Sequence, residues 1–484
     1  MVFSSPIFLF LFLPVVLTGY FLLRSLRARN LWLLGASLFF YAWGEPLFLL
    51  LLFASTWMNY RLGIWVDIAV EHHKRKLAVT LAIALNIGLL AFFKYINLAV
   101  QTVNTALGWT HTTPLTFPHI ALPIGISFFT FHALSYVIDI YRRKAPAARR
   151  LSDTGLYIFL FPQLIAGPIL RWSAMAPQFA ERLVTRDGFA DGIRRFIGGL
   201  AKKMIVANTV ALPADQIFAL PANELTTPIA WFGVLCYTLQ IYFDFSAYSD
   251  MAVGLGKMFG FKFLENFDYP YIATNVREFW RRWHISLSSW FRDYLYIPLG
   301  GNRVSERRNY FNLITVFALC GLWHGASWVF VLWGLYHGVF LVLERTRFGR
   351  FTDKLPRPAA HVYTLLVVMF GWVLFRSDTL TQALLFFKTM FGFSAADLAN
   401  HPLGRYVSRQ VLCAIALGIV FSAPTWPGVK TWLAKLSERL PQLARPPLQT
   451  IGIAAEIVLL AALLLVSAAW LAGGTYNPFI YYRF

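Results

Sequence analysis

Residues 313–335 read LITVFALCGLWHGASWVFVLWGL, an apolar run with one histidine, His324, near its centre. A run of about 20 mostly apolar residues predicts a transmembrane helix, because that length crosses the hydrocarbon core of a bilayer. If the helix begins near Phe311, His324 lies about 20 Å along it at ~1.5 Å per residue. An ionisable side chain at such depth usually faces the interior of a helix bundle or a cavity.

The composition indicates that membrane segments make up most of the chain. Of the 484 residues, 58% are hydrophobic and 14% are charged, and the mean hydropathy is +0.56. Soluble domains have about 45–50% apolar and about 25% charged residues. Further apolar runs lie at 7–23, 31–58, 77–100, 122–140, 156–170, 193–212, 229–243, 336–343, 362–375, 380–393, 411–421 and 451–471. Some are interrupted by Gly and Pro, notably at 44–46 and 161–171. We predict an all-α polytopic transmembrane protein with roughly ten to twelve helices of spanning length, together with re-entrant segments and interfacial helices.

The charge balance fits a membrane protein better than a nucleic-acid-binding one. The chain has 43 Lys and Arg against 23 Asp and Glu, a net charge of +20. Basic residues gather in the cytoplasmic loops of membrane proteins, and no basic cluster here lies within a nucleic-acid-binding motif. We therefore predict no nucleic-acid partner. The first basic cluster, 24–29, follows the first apolar run, which predicts an N-terminus outside the cytoplasm and no cleaved signal peptide.

Residues 277–296 read REFWRRWHISLSSWFRDYLY. On one helix at about 100° per residue, the aromatic side chains share a face opposite the arginines. This pattern is typical of a helix that lies in the bilayer interface. His284 falls at the edge of the apolar face, so we expect its ring to point inward. The ring either belongs to a functional site or forms a local hydrogen bond.

The loop 297–309 is predicted to be cytoplasmic because of its basic excess. Arginine guanidinium groups suit phosphate geometry. Arg303, Arg307 and Arg308 are therefore candidate contacts to the phosphates of an acyl donor such as coenzyme A. A loop that only sets the membrane topology is the alternative interpretation.

His324 has the properties of a general base that takes a proton from a hydroxyl group. The alternatives are a core histidine whose nitrogens are satisfied by neighbours, and a proton relay in a passive transporter. Gly321 and Gly325 would let a substrate or a neighbouring helix approach the ring, or would serve ordinary helix packing. On one continuous helix His337 lies ~20 Å further on, so we assign it a packing role. No histidine spacing fits a metal site, and no metal is predicted.

Four stretches resemble the membrane-bound O-acyltransferase family, and most closely its bacterial members that acetylate alginate. They are PIGISFFTFHALSYVIDIYRR (123–143), FPQLIAGPILR (161–171), the aromatic block 242–303 and GLWHGASWVFVLWGLYHG (321–338). The resemblance extends over almost the whole chain. One departure is His132, which stands where the family pattern leads us to expect glutamine, so that position has no assigned role.

The resemblance implies a ring of tilted helices around a central funnel. It implies one integral membrane domain over residues 1–484, with N-terminal helices at 1–120, a catalytic core at 121–345 and C-terminal helices at 346–484. His324 matches the catalytic histidine of the family. His284 matches a second position at which family members carry His or Asn.

The same resemblance implies an O-acetyltransferase of the bacterial inner membrane. Acetyl-CoA is the expected cytoplasmic donor, and no permanently bound cofactor is expected. The acceptor is an exported polysaccharide, with alginate first and cellulose, peptidoglycan or another exopolysaccharide as alternatives. Expected partners are periplasmic acetyltransferase proteins, the polysaccharide itself, reached directly or through a partner, and membrane lipid.

Overall fold

The computed structural model describes residues 1–394, 396–397, 401–438, 445–474 and 476. Within these residues every regular element is a helix and none is a strand. The hydrocarbon core offers no water to backbone groups, so a helix, which pairs its own amides and carbonyls, satisfies them there. The predicted all-α class is confirmed.

Eight helices form the N-terminal part of the chain. After a π-helical turn at Phe8–Phe12 they are α1 (Leu13–Leu22), α2 (Leu26–Ala42), α3 (Phe48–Ile68), α4 (His72–Trp109), α5 (Ile126–Tyr141), α6 (Leu151–Phe159), α7 (Phe161–Leu164) and α8 (Trp172–Ala180). The break between α2 and α3 contains the predicted interruption at 44–46. The stretch 161–171 is a broken helix, as its two prolines indicate, because only its first four residues are helical.

Seven helices form the central part. They are α9 (Arg186–Ala201), which continues through a π-helical segment (Lys202–Ala207) into α10 (Asn208–Phe218), then α11 (Thr227–Met258), α12 (Val276–Arg282), α13 (Ile285–Phe291) with a π-helical extension (Arg292–Tyr296), α14 (Glu306–His324) and α15 (Trp328–Leu343). A 3-10 turn at Pro270–Ile272 precedes α12.

The 32-residue helix α11 is the centre of the bundle. It packs against α7, α9, α10, α17 (Arg357–Arg376), α18 (Leu380–Met390) and α19 (Arg409–Phe421). Every residue from 236 to 249 is buried, as expected for a helix with neighbours on all sides. Asp244 on α11 pairs with Lys203 at 2.7 Å, and both side chains are almost fully buried. A buried pair of this kind is strongly destabilising to break, because either partner alone would be an uncompensated charge.

The C-terminal part adds α16 (Arg347–Thr352) before α17, and α20 (Thr425–Glu438) and α21 (Arg445–Ala472) after α19. Among the described residues, three helical segments are long and apolar enough to cross a membrane: His72–Trp109, Arg357–Arg376 and Thr450–Ala472. A bent pair, Arg409–Phe421 with Thr425–Leu436, would make a fourth. Judged by length and composition, the described part of the chain thus has fewer spanning helices than the ten to twelve that we expected. Several apolar runs are divided by breaks or carry polar residues.

The apolar run 313–335 is not one helix. α14 ends at His324, residues 325–327 are not helical, and α15 starts at Trp328. The two helices form an antiparallel hairpin in which Gly321 lies against the carbonyl oxygen of Phe330, and Gly334 against that of Phe317. The glycines therefore serve close helix packing, the second of the two roles expected for Gly321.

The prediction of one continuous helix over 277–296 is also wrong. The chain turns between α12 and α13 at His284, which has a left-handed backbone with φ of 43°. The predicted apolar face is largely buried in the protein core. Trp290, for example, stacks on Phe131 of α5 with ring centroids 3.9 Å apart. The turn redirects the chain, so its aromatic rings find protein partners.

We expect Gly321→Ala to destabilise the α14–α15 hairpin by about 1–3 kcal/mol, because the added methyl group would overlap a backbone carbonyl that cannot move away freely. Thermal unfolding of the detergent-purified protein, followed by tryptophan fluorescence, measures the effect. Gly88→Ala in α4 is the matched control, since a Cβ there meets open space. Equal melting temperatures for Gly321→Ala and Gly88→Ala would contradict this packing.

Candidate functional site

His324 is the last residue of α14, and its ring lies in an aromatic enclosure. The side chain is 7% exposed. Ring centroids of Trp323, Trp333 and Phe375 lie 4.9, 5.1 and 5.2 Å away, each at a steep angle to the imidazole. These neighbours come from α14, α15 and α17. They keep the imidazole in apolar surroundings, where any charge that develops is poorly screened.

Lysine and tyrosine side chains of α4 hold the end of α14 in place. The Lys94 ammonium donates to the carbonyl oxygens of Trp323 and His324, the latter at 3.3 Å, and to Ser127 Oγ at 3.0 Å. The Tyr95 hydroxyl donates to the Leu322 carbonyl at 2.9 Å. The last carbonyls of a helix lack intrahelical donors, and a cation is favourable at this end of the helix dipole.

Sequence reasoning missed Lys94, although a signal was present. It is a single lysine inside the long apolar run of α4, and it is buried. An ionisable residue within a spanning segment is by default a candidate functional residue.

His284 is 1% exposed, as its predicted inward direction requires. Its ring centroid lies 4.6 Å from that of Phe245 on α11 and 6.4 Å from that of Trp323. Trp323 is therefore a common neighbour of His284 and His324. The structure brings both candidate histidines to the same aromatic cluster, although His284 lies in the turn before α13 and His324 lies at the end of α14.

The N-terminus of α12, the helix before His284, is fixed by Glu344. Its carboxylate accepts hydrogen bonds from the backbone N–H groups of Val276 at 2.7 Å and Arg277 at 3.0 Å. Burial raises the pKa of the Glu344 carboxyl, and the two amide donors oppose that shift. A carboxylate at a helix N-terminus stabilises the helix through its dipole.

The prediction that His337 lies far from His324 is wrong. Because the hairpin folds α15 back along α14, both imidazoles contact Trp333, with ring centroids 5.1 Å away for His324 and 5.2 Å for His337. The ring of His337 also contacts Trp280 at 4.9 Å, and the residue is fully buried. His337 therefore packs directly behind the enclosure of His324. No group of three or more His, Cys, Asp or Glu among the described residues could hold a metal ion.

The three candidate arginines are not close to the histidines. Arg303, Arg307 and Arg308 are exposed at the N-terminal end of α14. About 25 Å of helix separates Arg307 from His324 at ~1.5 Å per residue. The arginines and the imidazole are thus at opposite ends of one helix.

A cavity of about 320 Å³ lies at the His324 end of that helix. Its lining residues are Phe93, Lys94, Asn97, His119, Ile120, Leu122, Gly325, Ala326, Ser327, Phe330, Phe375, Arg376, Ser377 and Asp378. Phe375 lines this cavity and also contacts the His324 ring. The cavity and the imidazole therefore share Phe375 as a neighbour.

His132 is not part of this cluster. It is fully buried in α5 and contacts Tyr157 of α6, with ring centroids 5.6 Å apart. Its neighbour Phe131 is the residue that supports the site, because its ring stacks on Trp323 at 5.2 Å. Neither nitrogen of His132 has a hydrogen-bond partner within the described part of the chain.

The chain matches the sequence model of one protein family and is similar to several known proteins. Residues 150–383 match the sequence model of MBOAT, the membrane-bound O-acyltransferase family. The chain is similar to the "probable alginate O-acetylase AlgI" of Azotobacter vinelandii, with 43% identity over all of both chains. It is 45% identical to the protein of that name from Pseudomonas aeruginosa, over 85% of this chain and 79% of the relative. It is 38% identical to the peptidoglycan O-acetyltransferase of Helicobacter pylori, over 88% of this chain and 87% of the relative.

We expect Lys94→Met to loosen the end of α14, because hydrogen bonds from a charged group each contribute about 1.5–3 kcal/mol. Hydrogen–deuterium exchange over residues 318–327 should become at least ~10-fold faster. Lys74→Met, at the exposed start of the same helix α4, should leave this exchange unchanged. Identical exchange in the two variants would show that Lys94 does not hold the helix end.

Proposed function

The chain belongs to the membrane-bound O-acyltransferase family, and from that premise we propose that it acetylates hydroxyl groups of an exported polysaccharide. It is a multi-pass membrane protein and an acyltransferase. Between the enzyme and transporter alternatives, the relatives favour the enzyme, since they are named as acetylases and acetyltransferases.

Alginate is the acceptor that we propose first. The chain is 43–45% identical to the two alginate acetylases and 38% identical to the peptidoglycan enzyme. The first of these matches also covers both chains completely. Peptidoglycan, cellulose and other exopolysaccharides are the alternatives, and acetyl analysis of the polymers of the producing cell distinguishes them.

We propose that His324 is the general base. The acceptor hydroxyl gives its proton to the imidazole while its oxygen attacks the carbonyl carbon of an acetyl thioester. The new C–O bond forms, the C–S bond breaks, and the proton leaves with the thiol. A positioned base contributes about 10²–10⁴-fold to such a step. The observation that carries this assignment is that the rings of His324 and His284 both contact Trp323, and that a cavity lies next to this cluster.

The two ends of α14 support separate entrances for the two substrates. The helix has 19 residues, a length of about 28 Å, so its two ends lie far apart. We propose that acetyl-CoA places its phosphates near Arg303, Arg307 and Arg308 on the cytoplasmic side. The acceptor, either the polysaccharide or a hydroxyl of a periplasmic partner protein, would then enter by the cavity at the His324 end.

This arrangement implies a location in the bacterial inner membrane, because acetyl-CoA is made in the cytoplasm and the polymer is exported. Periplasmic acetyltransferase proteins that complete delivery to the polymer are the proposed partners. Lipid surrounds the exposed apolar faces of the helices. The chain itself needs no permanently bound cofactor for the proposed step.

We expect His324→Ala to lower acetylation at least ~100-fold, since the transfer would lose its base. His284→Ala should cause a strong but incomplete loss. The acetyl ester content of the polymer from a complemented deletion strain is the measurement, with immunoblots to show equal membrane insertion. His72→Ala, at an exposed histidine, is the control. A His324→Ala strain with normally acetylated polymer would rule out this mechanism.

We expect the double variant Arg303→Gln, Arg307→Gln to raise the KM for acetyl-CoA about 10-fold or more, because it removes charged hydrogen bonds to phosphate. The kcat should change little. Labelled acetyl-CoA and membrane vesicles give both constants. Arg149→Gln with Arg150→Gln removes the same charge from another exposed basic segment. An equal KM in both double variants would show that the segment 297–309 does not bind acetyl-CoA.

A further inference from the structure

Asn266 makes a compact set of hydrogen bonds to the turn that carries His284. Its side-chain oxygen Oδ1 lies 3.0 Å from His284 Nδ1, 3.1 Å from the backbone nitrogen of Ser286 and 2.9 Å from Ser286 Oγ. Its backbone carbonyl accepts from the Ile285 N–H at 2.9 Å. Asn266 is 1% exposed. One asparagine thus contacts three consecutive residues.

The orientation of the Asn266 amide follows from the Ser286 contact. A backbone N–H can only donate, so the side-chain atom that faces Ser286 N must be the oxygen. Ser286 Oγ accepts from the Ile169 N–H at 3.0 Å, so its own proton is available for the same oxygen. The atom that faces His284 Nδ1 is therefore an acceptor.

The tautomer of His284 follows in turn. A neutral imidazole donates from one nitrogen and accepts at the other. Because Nδ1 faces an acceptor, Nδ1 carries the proton and Nε2 carries the lone pair. Nε2 is buried and has no hydrogen-bond partner within the described part of the chain. It is the nitrogen that can accept a proton or a hydrogen bond from a bound substrate.

The backbone at this turn is unusual as well. His284 has φ of 43° and ψ of 56°, a left-handed conformation that is uncommon for a residue with a side chain. Such a conformation persists only where the surroundings determine it fully. The contacts of Asn266 to residues 284–286 supply that determination. They hold both the direction of the ring and its protonation pattern.

We propose that Asn266 is a positioning residue that holds His284 as the Nδ1–H tautomer, with Nε2 as the proton or hydrogen-bond acceptor in the acetyl-transfer site. This inference rests on the proposed function of His284. It adds a residue to that site which contacts no reacting atom. Asn266 acts on the reaction only through the imidazole.

Two substitutions separate this role from simple packing. Asn266→Leu keeps a similar volume but removes the acceptor, and we expect kcat to fall ~100-fold with the KM for acetyl-CoA within ~2-fold. Asn266→Asp keeps acceptor oxygens for Nδ1–H, and we expect it to recover at least ~10-fold of that loss. Asn30→Leu is the control, because it removes another buried asparagine whose amide donates to a backbone carbonyl. Its kcat should match the wild type.

The tautomer itself is read by solid-state NMR of protein with ¹⁵N-labelled histidine, with the His284 signals assigned by their loss in His284→Ala. We expect an Nδ1–H signature in the wild type and in Asn266→Asp, and its loss in Asn266→Leu. The same signature should be present in the inactive His324→Ala protein, so this readout does not depend on catalysis.

The proposal is overturned if Asn266→Leu keeps the Nδ1–H signature or a wild-type kcat. It is also overturned if Asn266→Asp is no more active than Asn266→Leu. A different result concerns the proposed function alone. If His284→Ala acetylates at the wild-type rate while the NMR signature depends on Asn266 as expected, His284 has no part in the chemistry although Asn266 sets its tautomer.

Discussion

The hydrogen bonds from Lys94 and Tyr95 to the last carbonyls of α14 determine where the rest of the site lies. A helix that ends within apolar surroundings must find donors for its final carbonyl groups. Here α4 supplies a buried ammonium and a hydroxyl. With those carbonyls satisfied, α14 stops at His324, and the chain turns back as α15 and opens a cavity at the turn. His324 thus occupies the end of a helix, and residues 325–327, in the middle of the apolar run, line the cavity.

Aromatic packing then creates the environment of the two imidazoles. Trp323 contacts both His284 and His324. Phe131 of α5 stacks on Trp323 and also on Trp290. Rings of this size exclude water without adding charge, so electrostatic interactions within the enclosure are stronger than in solution. Asn266 Oδ1 faces His284 Nδ1, and this contact decides which nitrogen of the His284 imidazole is the acceptor.

Several features could be predicted from particular residues. The apolar runs indicated helices, the prolines at 161–171 indicated a broken one, and the inward direction of His284 followed from its place beside the aromatic face. The break after His324 could not be predicted from Gly321 and Gly325, since glycine is also common in continuous membrane helices. The buried position of Lys94 in an apolar run was a local signal, but its partners could not be predicted, because they are carbonyl groups of a helix more than 200 residues away in the chain.

The amino-acid sequence by itself determined the membrane class of the protein, because apolar content and helix length decide what a bilayer accepts. It also carried the family resemblance. The tertiary structure alone decided which groups meet. It placed His284 and His324 against the indole of Trp323 and His337 against Trp333. It also placed Arg303, Arg307 and Arg308 at the opposite end of α14 from His324. The reason is that a turn such as the one at His284 is stabilised by contacts between residues far apart in the chain, so no local pattern specifies it.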